Sequence, residues 1–440
     1  MAYDILDSMR AMVDYKGFVS RFAKDDRRFF FILIAVMVFV IAVLVIVDKY
    51  ADVRWYFRYA EVFVNGQIPY EVYDNVAYPP MFLYISAIPA LITDSETLYA
   101  ILYMAISMVF ILVAAHYSLK MCDEYGVSHL YVYITFLLLM ACVPVHVVDR
   151  NDGMATVLAM LGMFMFMKKR ESLCFVLLAV SVMIKIYPGL IVVAFLLPFI
   201  IKGDWKKGIG YALLVAAICI LIQLPCYIAS PESSFNYITQ NSGRPLQIEA
   251  CVSVLVMIYG AIFPDKIWIE QTDDPTVYTY GSDNFRGMFP DALADLMMPL
   301  MIIAIAAAVI YFLYRQWGSR LDHDRMLLSA ALMGYILVLI FLLFNKVYSA
   351  QYGLWPIMLF TPVLILLQHY GYDTEKLTVR YIIFGFATLL ATIFYNSYGG
   401  PLFFLATLFK TIALIILLIQ CLRMFYIISD EKSVIGSPDL

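Results

Sequence analysis

The side chains able to do chemistry in this 440-residue chain are ionisable groups set beside long apolar runs. Asp52 and Arg54 follow the first run. Asp149, Arg150, Asn151 and Asp152 form "DRND" between two later ones, and Lys185 sits in "KIYPG". Arg244 and Glu249 belong to "GRPLQIEA", Lys346 and Gln351 to "FNKVYSAQYGLW". A charge at the centre of a membrane helix costs about 2.5–3.5 kcal/mol on insertion scales, so a group retained near that depth usually serves a purpose. Cations at such a level can hold a lipid-linked phosphate and neutralise the charge that develops as it leaves. A carboxylate among them can take a proton from an attacking hydroxyl. Tyr and Trp, dense over 55–84, offer flat faces to sugar rings and headgroups. Together these residue types suit transfer of a sugar from a polyprenyl phosphate to an alcohol.

The elements that must position them are membrane helices. Hydrophobic residues make up 63% of the chain and charged residues 15%, with mean hydropathy +0.83, far too apolar for a soluble domain. Runs of spanning length recur over 29–47, 97–119, 129–147, 153–167, 172–185, 187–201, 209–229, 291–313, 326–344, 353–368, 381–397 and 401–422. The fold class expected is an all-α polytopic membrane protein with about 12 transmembrane helices. The basic stretches "KDDRR", "KKRE", "KGDWKK" and "RQWGSRLDHDR" all fall on one side when the N-terminus is cytoplasmic. That orientation places residues 1–28 and 424–440 inside, with a transmembrane domain over 29–423. Its largest loops, 48–96 and 230–290, lie outside, as do all five charged segments above.

Two spans, 172–185 and 187–201, are too short for a straight crossing and meet at Pro188, which blocks helix continuation. Such a break is tolerated at membrane depth only where protein or water satisfies the backbone. Ala250 to Phe263 reads as a dipping helix, and "PPMFLYISAIPALI" as an interfacial one with its aromatics at headgroup level. The net charge of −4 says little about partners, and the absence of a basic face or motif argues against nucleic acid. The seven cysteines have no C-x-x-C spacing and read as apolar filler. The scattered histidines have no metal-ligand spacing and read mostly as structural. The polar N-terminus and the length of the first run exclude a cleavable signal peptide from the expected features.

Each charge also has a plainer reading. Asp52 can cap a helix starting near Val53. Arg150 can pair with Asp152, Glu249 with Arg244, and Lys185 can snorkel. Lys410, in the middle of the last run, has no assigned role. Two non-enzymatic classes stand beside a transferase: a transporter or flippase for a lipid-linked sugar, and a non-catalytic subunit holding an enzyme.

"DVRWYFRYAEVFVNGQIPYEVYDNVAYPP" over 52–80 resembles the first outer loop of GT-C glycosyltransferases. "DRND", "KKR", "MIKIYPGL" and "FNKVYSAQYGLW" are similar to the catalytic subunit of GPI-anchor mannosyltransferase I. "RPLQIEA" looks like prokaryotic alpha-mannosyltransferases of the same superfamily. The resemblance runs from Asp52 to about Trp355 and implies a GT-C fold whose large first extracytoplasmic loop carries interfacial helices. It further implies an inverting enzyme using a dolichyl- or polyprenyl-phosphate donor, with mannose as the sugar. A lipid-linked glycan or glycolipid would be the acceptor, and membrane lipids the other partners. Asp52 matches the family's general base. The eukaryotic relatives carry a second Asp two residues later, where this chain has Arg54, so neither a metal nor another cofactor is expected. Lys346, Lys185, Arg150 and Arg244 are then the candidates for the donor phosphate. Asp152, Glu249, Gln351, Tyr78, Tyr352 and Trp55 are those for sugar and acceptor. The mixture of motifs, without a glycosylation sequon, favours an archaeal or bacterial plasma membrane over the endoplasmic reticulum.

Overall fold

A computed structural model describes residues 17, 25–73, 76–270, 282–317, 323–398 and 400–430. The expected cytoplasmic segment 1–28 and tail 424–440 lie largely outside the described residues, as does the middle of "RQWGSRLDHDR". The structure is 79% helical with almost no sheet, an all-α polytopic membrane protein.

The spans follow chain order. Helix α1 (Asp26–Ile46) opens on Asp25, whose side chain accepts from the Arg28 amide at 2.7 Å and satisfies one of the unpaired first-turn donors. Beyond it lie the short helices α2 (Ala51–Val64), α3 (Pro69–Val72) and α4 (Pro80–Ala90). Then come α5 (Glu96–Tyr125), α6 (Leu130–Cys142), α7 (Pro144–Asp149), α8 (Asp152–Met167), α9 (Glu171–Val182), α10 (Gly189–Ile201) and α11 (Trp205–Ala229). After α12 (Asn236–Gly243) and α13 (Ser253–Ile262), the bundle closes with α14 (Met288–Gln316), α15 (His323–Phe344), α16 (Leu354–His369), α17 (Glu375–Ile393) and α18 (Pro401–Ser429). Among the described residues eight helices are long and apolar enough to cross a membrane. The other four expected runs correspond to the shorter apolar helices α6, α8, α9 and α10.

Burial separates two kinds of span. Helices α15 and α16 are mostly enclosed by protein, whereas α11 and α14 present most of their apolar surface outward. Helix α8 packs on α9, α16 and α5, α15 packs on α10 and α18, and α17 packs on α18. The expected break between α9 and α10 is present, and protein groups satisfy it. The Met183 carbonyl accepts from the Met81 amide at 3.0 Å, and the Ile184 carbonyl from Asn151 Nδ2 at 3.3 Å.

Helix α4 turns its aromatic rings into the bundle. Phe82 is fully buried against Tyr56, Tyr78 and Tyr103, and the Tyr84 hydroxyl donates to the Ile222 carbonyl of α11. These rings pack inward against α2, α5 and α11. A small antiparallel sheet ordered β1–β3–β2 has no counterpart among the expected elements. It comprises β1 (Leu246–Gln247), β2 (Trp268–Glu270) and β3 (Asn284–Arg286), with Gln247 facing Asn284.

Candidate active site

A cavity of about 660 Å³ opens where the charged loops meet at one end of the bundle. Asp52, Tyr78, Arg150, Lys185, Arg244, Glu249, Lys346, Gln351 and Tyr352 all line it. Residues as far apart in sequence as Asp52 and Tyr352 therefore share one volume.

Asp52 stands in the first turn of α2, where the helix dipole favours negative charge. The helix cap is Tyr50 and Asp52 is the second helical residue, its Oδ2 forming an ion pair with Arg150. Among the described residues no hydrogen-bond partner is found for Oδ1, which leaves one carboxylate oxygen for another donor. Arg150 follows α7, and its Nε lies 3.6 Å from Asp149 Oδ1. Arg54 points elsewhere: Nε donates to Glu96 Oε1 at 2.6 Å, and NH2 pairs with Asp48. It fastens α2 to the end of α1 and the start of α5, and so sets the angle at which Asp52 enters the cavity.

Lys185 does not snorkel. Its Nζ donates to Asp152 Oδ2 at 2.9 Å, while Trp355 Nε1 donates to Asp152 Oδ1 at 2.7 Å. Asp152 is fully buried behind the lining, so it holds Lys185 and Trp355 and cannot itself reach a sugar. Trp355 lies between the Tyr187 ring at 3.9 Å and the Tyr352 ring at 4.2 Å, both stacked. The Lys185 ammonium sits over the Tyr352 face at 5.1 Å. Pro188 starts α10 directly after this group, so the helix break is what turns Lys185 into the cavity.

The opposite wall is made by 244–253, 282–286 and 345–353. The Gln247 amide donates to the Lys346 carbonyl at 3.0 Å, and Gln247 Nε2 reaches both Glu249 Oε2 and Ser349 Oγ at 3.2 Å. Arg244 donates to Ser282 Oγ at 3.0 Å, whereas the Glu249 carboxylate takes its bond from Gln247. Lys346 is 6% exposed, and burial pulls its ammonium below the usual lysine range. Burial pushes the Glu249 carboxyl the other way, up to about 7. The turn Ala350–Gly353 lies so close on α17 that a Cβ at Gly353 would meet Thr388 Cγ2 at 2.4 Å. Only glycine allows that approach, which brings Gln351 and Tyr352 to the rim.

Two sequence candidates stand outside the lining, Asp152 behind it and Trp55. Trp55 is 48% exposed on the outer side of α2 with Arg58 over its ring at 4.7 Å, whereas the neighbouring Tyr56 is buried. His146, read as structural, lines the cavity with Nδ1 3.5 Å from Asp149 Oδ1. Tyr187, Gln247, Ser282, Ser349 and Tyr395 join the lining too. Tyr187, Gln247 and Ser349 sit inside motifs already singled out; Ser282 and Tyr395 carried no signal. Among the described residues no group of three or more His, Cys, Asp or Glu side chains is arranged to hold a metal ion.

Residues 76–268 match the family model described as Glycosyltransferase family 87, a GT-C-type family. The matched stretch contains Tyr78, Arg150, Asp152, Lys185, Arg244 and Glu249, and stops short of Asp52 on one side and Lys346 on the other. No curated protein matches the chain. The family match and the membrane helices together support a membrane glycosyltransferase.

Proposed function

We propose that the chain transfers a sugar from a polyprenyl- or dolichyl-phosphate donor to a hydroxyl of a lipid-linked glycan or glycolipid, on the extracytoplasmic side of an archaeal or bacterial plasma membrane. The observation that carries this reading is the charge pattern of the cavity: Asp52, ion-paired through Oδ2 with Arg150, shares the lining with Lys185, Arg244 and Lys346. Mannose, which the motif resemblance implies, is the sugar assigned.

In the proposed reaction the acceptor oxygen attacks the anomeric carbon and passes its proton to Asp52. The carbon–oxygen bond to phosphate breaks on the far side, inverting the centre, and the lipid phosphate leaves with the electron pair. Charge grows on that phosphate in the transition state, where cations preorganised in a water-poor site are worth most. Lys346 is placed first among them because burial already desolvates its ammonium, and an incoming phosphate favours the charged form. Lys185 and Arg150 arrive with carboxylate partners, Asp152 and Asp52, and each must share that partner to serve the phosphate. Glu249, Gln351 and the Tyr352 and Tyr78 rings bind the sugar and acceptor. The apolar residues Met298, Met301, Phe341 and Phe344 on α14 and α15 give the lipid chain a path along the cavity side.

The reading is tested with purified protein, polyprenyl-phosphate mannose or glucose, and an extract of lipid acceptors, the products being identified by mass spectrometry. A glycosylated lipid plus released polyprenyl phosphate is expected with the mannosyl donor. Movement of intact donor across vesicles without transfer would replace the reading with a flippase. Separately, Lys346→Ala is expected to weaken donor binding by about 10- to 100-fold, the loss of one charge-assisted contact of about 1.5–3 kcal/mol. Titration of the variant with donor checks this, and unchanged affinity would remove Lys346 from the phosphate site.

A further inference from the structure

Helix α18 carries an ammonium in its middle, Lys410, which the transfer chemistry leaves without a role. Lys410 is 1% exposed. Its Nζ donates to the Glu249 backbone carbonyl at 2.7 Å and lies 3.7 Å from the centre of the Tyr348 ring. These contacts reach two of the loops that form one wall of the cavity, 244–253 and 345–353. A Met or Leu would fill the same volume without the cost of a buried charge, so packing alone does not explain a lysine here. An ammonium with one carbonyl and one ring face still requires a counter-charge, and Glu249 supplies the carboxylate in its surroundings.

We propose that Lys410 is a positioning residue for Glu249, pinning its loop against Tyr348 and holding its side chain as a carboxylate that accepts from a sugar hydroxyl. The last clause rests on the sugar-transfer reading of the cavity. The groups facing Glu249 are Lys410 from α18, His146 from α7, Arg150 after α7, Asp283 before β3, Tyr348 after α15 and Tyr395 after α17. Lys410, His146 and Arg150 favour the charged form, whereas burial and Asp283 oppose it, leaving Glu249 poised at about 7. Of the three cations Lys410 acts most strongly. An acid that loses a nearby cation keeps its proton to higher pH, so removing Lys410 must move Glu249 further up.

The test is an infrared pH titration of the purified full chain without substrate, with Glu249→Gln assigning the carboxyl band. Lys410→Met is expected to move the Glu249 midpoint upward by about one pH unit or more, at least tenfold in proton affinity. Lys410→Arg, which keeps the charge, should leave the midpoint near that of the unaltered chain. An unmoved midpoint in Lys410→Met overturns the proposal. If that variant does not fold, Lys410→Gln retains a donor for the Glu249 carbonyl without the charge and reads the same shift. In turnover assays Lys410→Met should raise KM for the sugar-bearing substrate more than it lowers kcat, with the defect shrinking as pH rises and Glu249 ionises. A uniform loss at every pH would mark Lys410 as merely structural. The infrared result stands apart from transfer, so a chain that moves no sugar fails the function proposed above and leaves the Lys410–Glu249 coupling to be judged by its own midpoint.

Discussion

Asp52→Asn is expected to lower kcat by about 10²- to 10⁴-fold, the range over which a positioned general base contributes. Asparagine has nearly the shape of aspartate and its amide oxygen can still accept from Arg150, so the loop geometry should survive. What it cannot do is take a proton from the acceptor hydroxyl. Donor affinity is therefore expected to stay within a few-fold, since Lys346, Lys185 and Arg244, the cations proposed for the phosphate, are untouched. Arg150 loses its ion-pair partner Asp52 but retains Asp149 at 3.6 Å, which limits its movement. Single-turnover transfer measured at saturating donor separates the chemical step from binding. Transfer within about threefold of the unaltered protein would remove Asp52 as the base, because a role confined to structure predicts no such gap between kcat and donor affinity.

Much of this site was legible because the bilayer penalises charge. Lys185, Arg150, Glu249 and Lys346 stand out from an apolar background, and the break at Pro188 announces itself through a residue that cannot continue a helix. The pairings were not legible. Arg150 is two residues from Asp152 yet pairs with Asp52, while Asp152 reaches Lys185 and Trp355, 33 and 203 positions away. Sequence distance suggested the local pair; the packing of α8 against α9 and α16 decided otherwise. Uncharged lining groups such as Ser282 and Tyr395 carry too small a transfer penalty to be noticed. The strands of two and three residues are too short for any alternation to register. Trp55 illustrates a different limit: composition places an aromatic-rich helix beside the site, but only helical phase tells that Tyr56 and Tyr59 turn inward while Trp55 and Arg58 turn out. Arg54 is the converse case. The sequence could say only that it replaces an expected carboxylate, whereas its bonds to Glu96 and Asp48 reveal what the replacement does.

Asp152→Ala is expected to destabilise the folded chain by about 3–5 kcal/mol, the cost of stripping one partner from a buried ion pair. The carboxylate is fully buried at the start of α8 and serves two donors, the Lys185 ammonium and the Trp355 indole. Alanine leaves that indole N–H without its acceptor and the ammonium without its counter-charge, and opens a small void among Tyr187, Trp355 and Tyr352. Asp152→Asn should fall between the extremes, since its amide oxygen can still accept from Trp355 while the charge is lost. If the Lys185 pairing contributes more than the Trp355 bond, Lys185→Met in the Asp152→Ala background should recover part of the loss, because the stranded charge is gone. Thermal unfolding of the unaltered chain, the two single variants and the double variant in one detergent closes the double-mutant cycle. Melting of Asp152→Ala at the temperature of the unaltered protein would mean that water, not Asp152, satisfies Lys185, and the ammonium would then be free to meet a donor phosphate without any displacement of its partner.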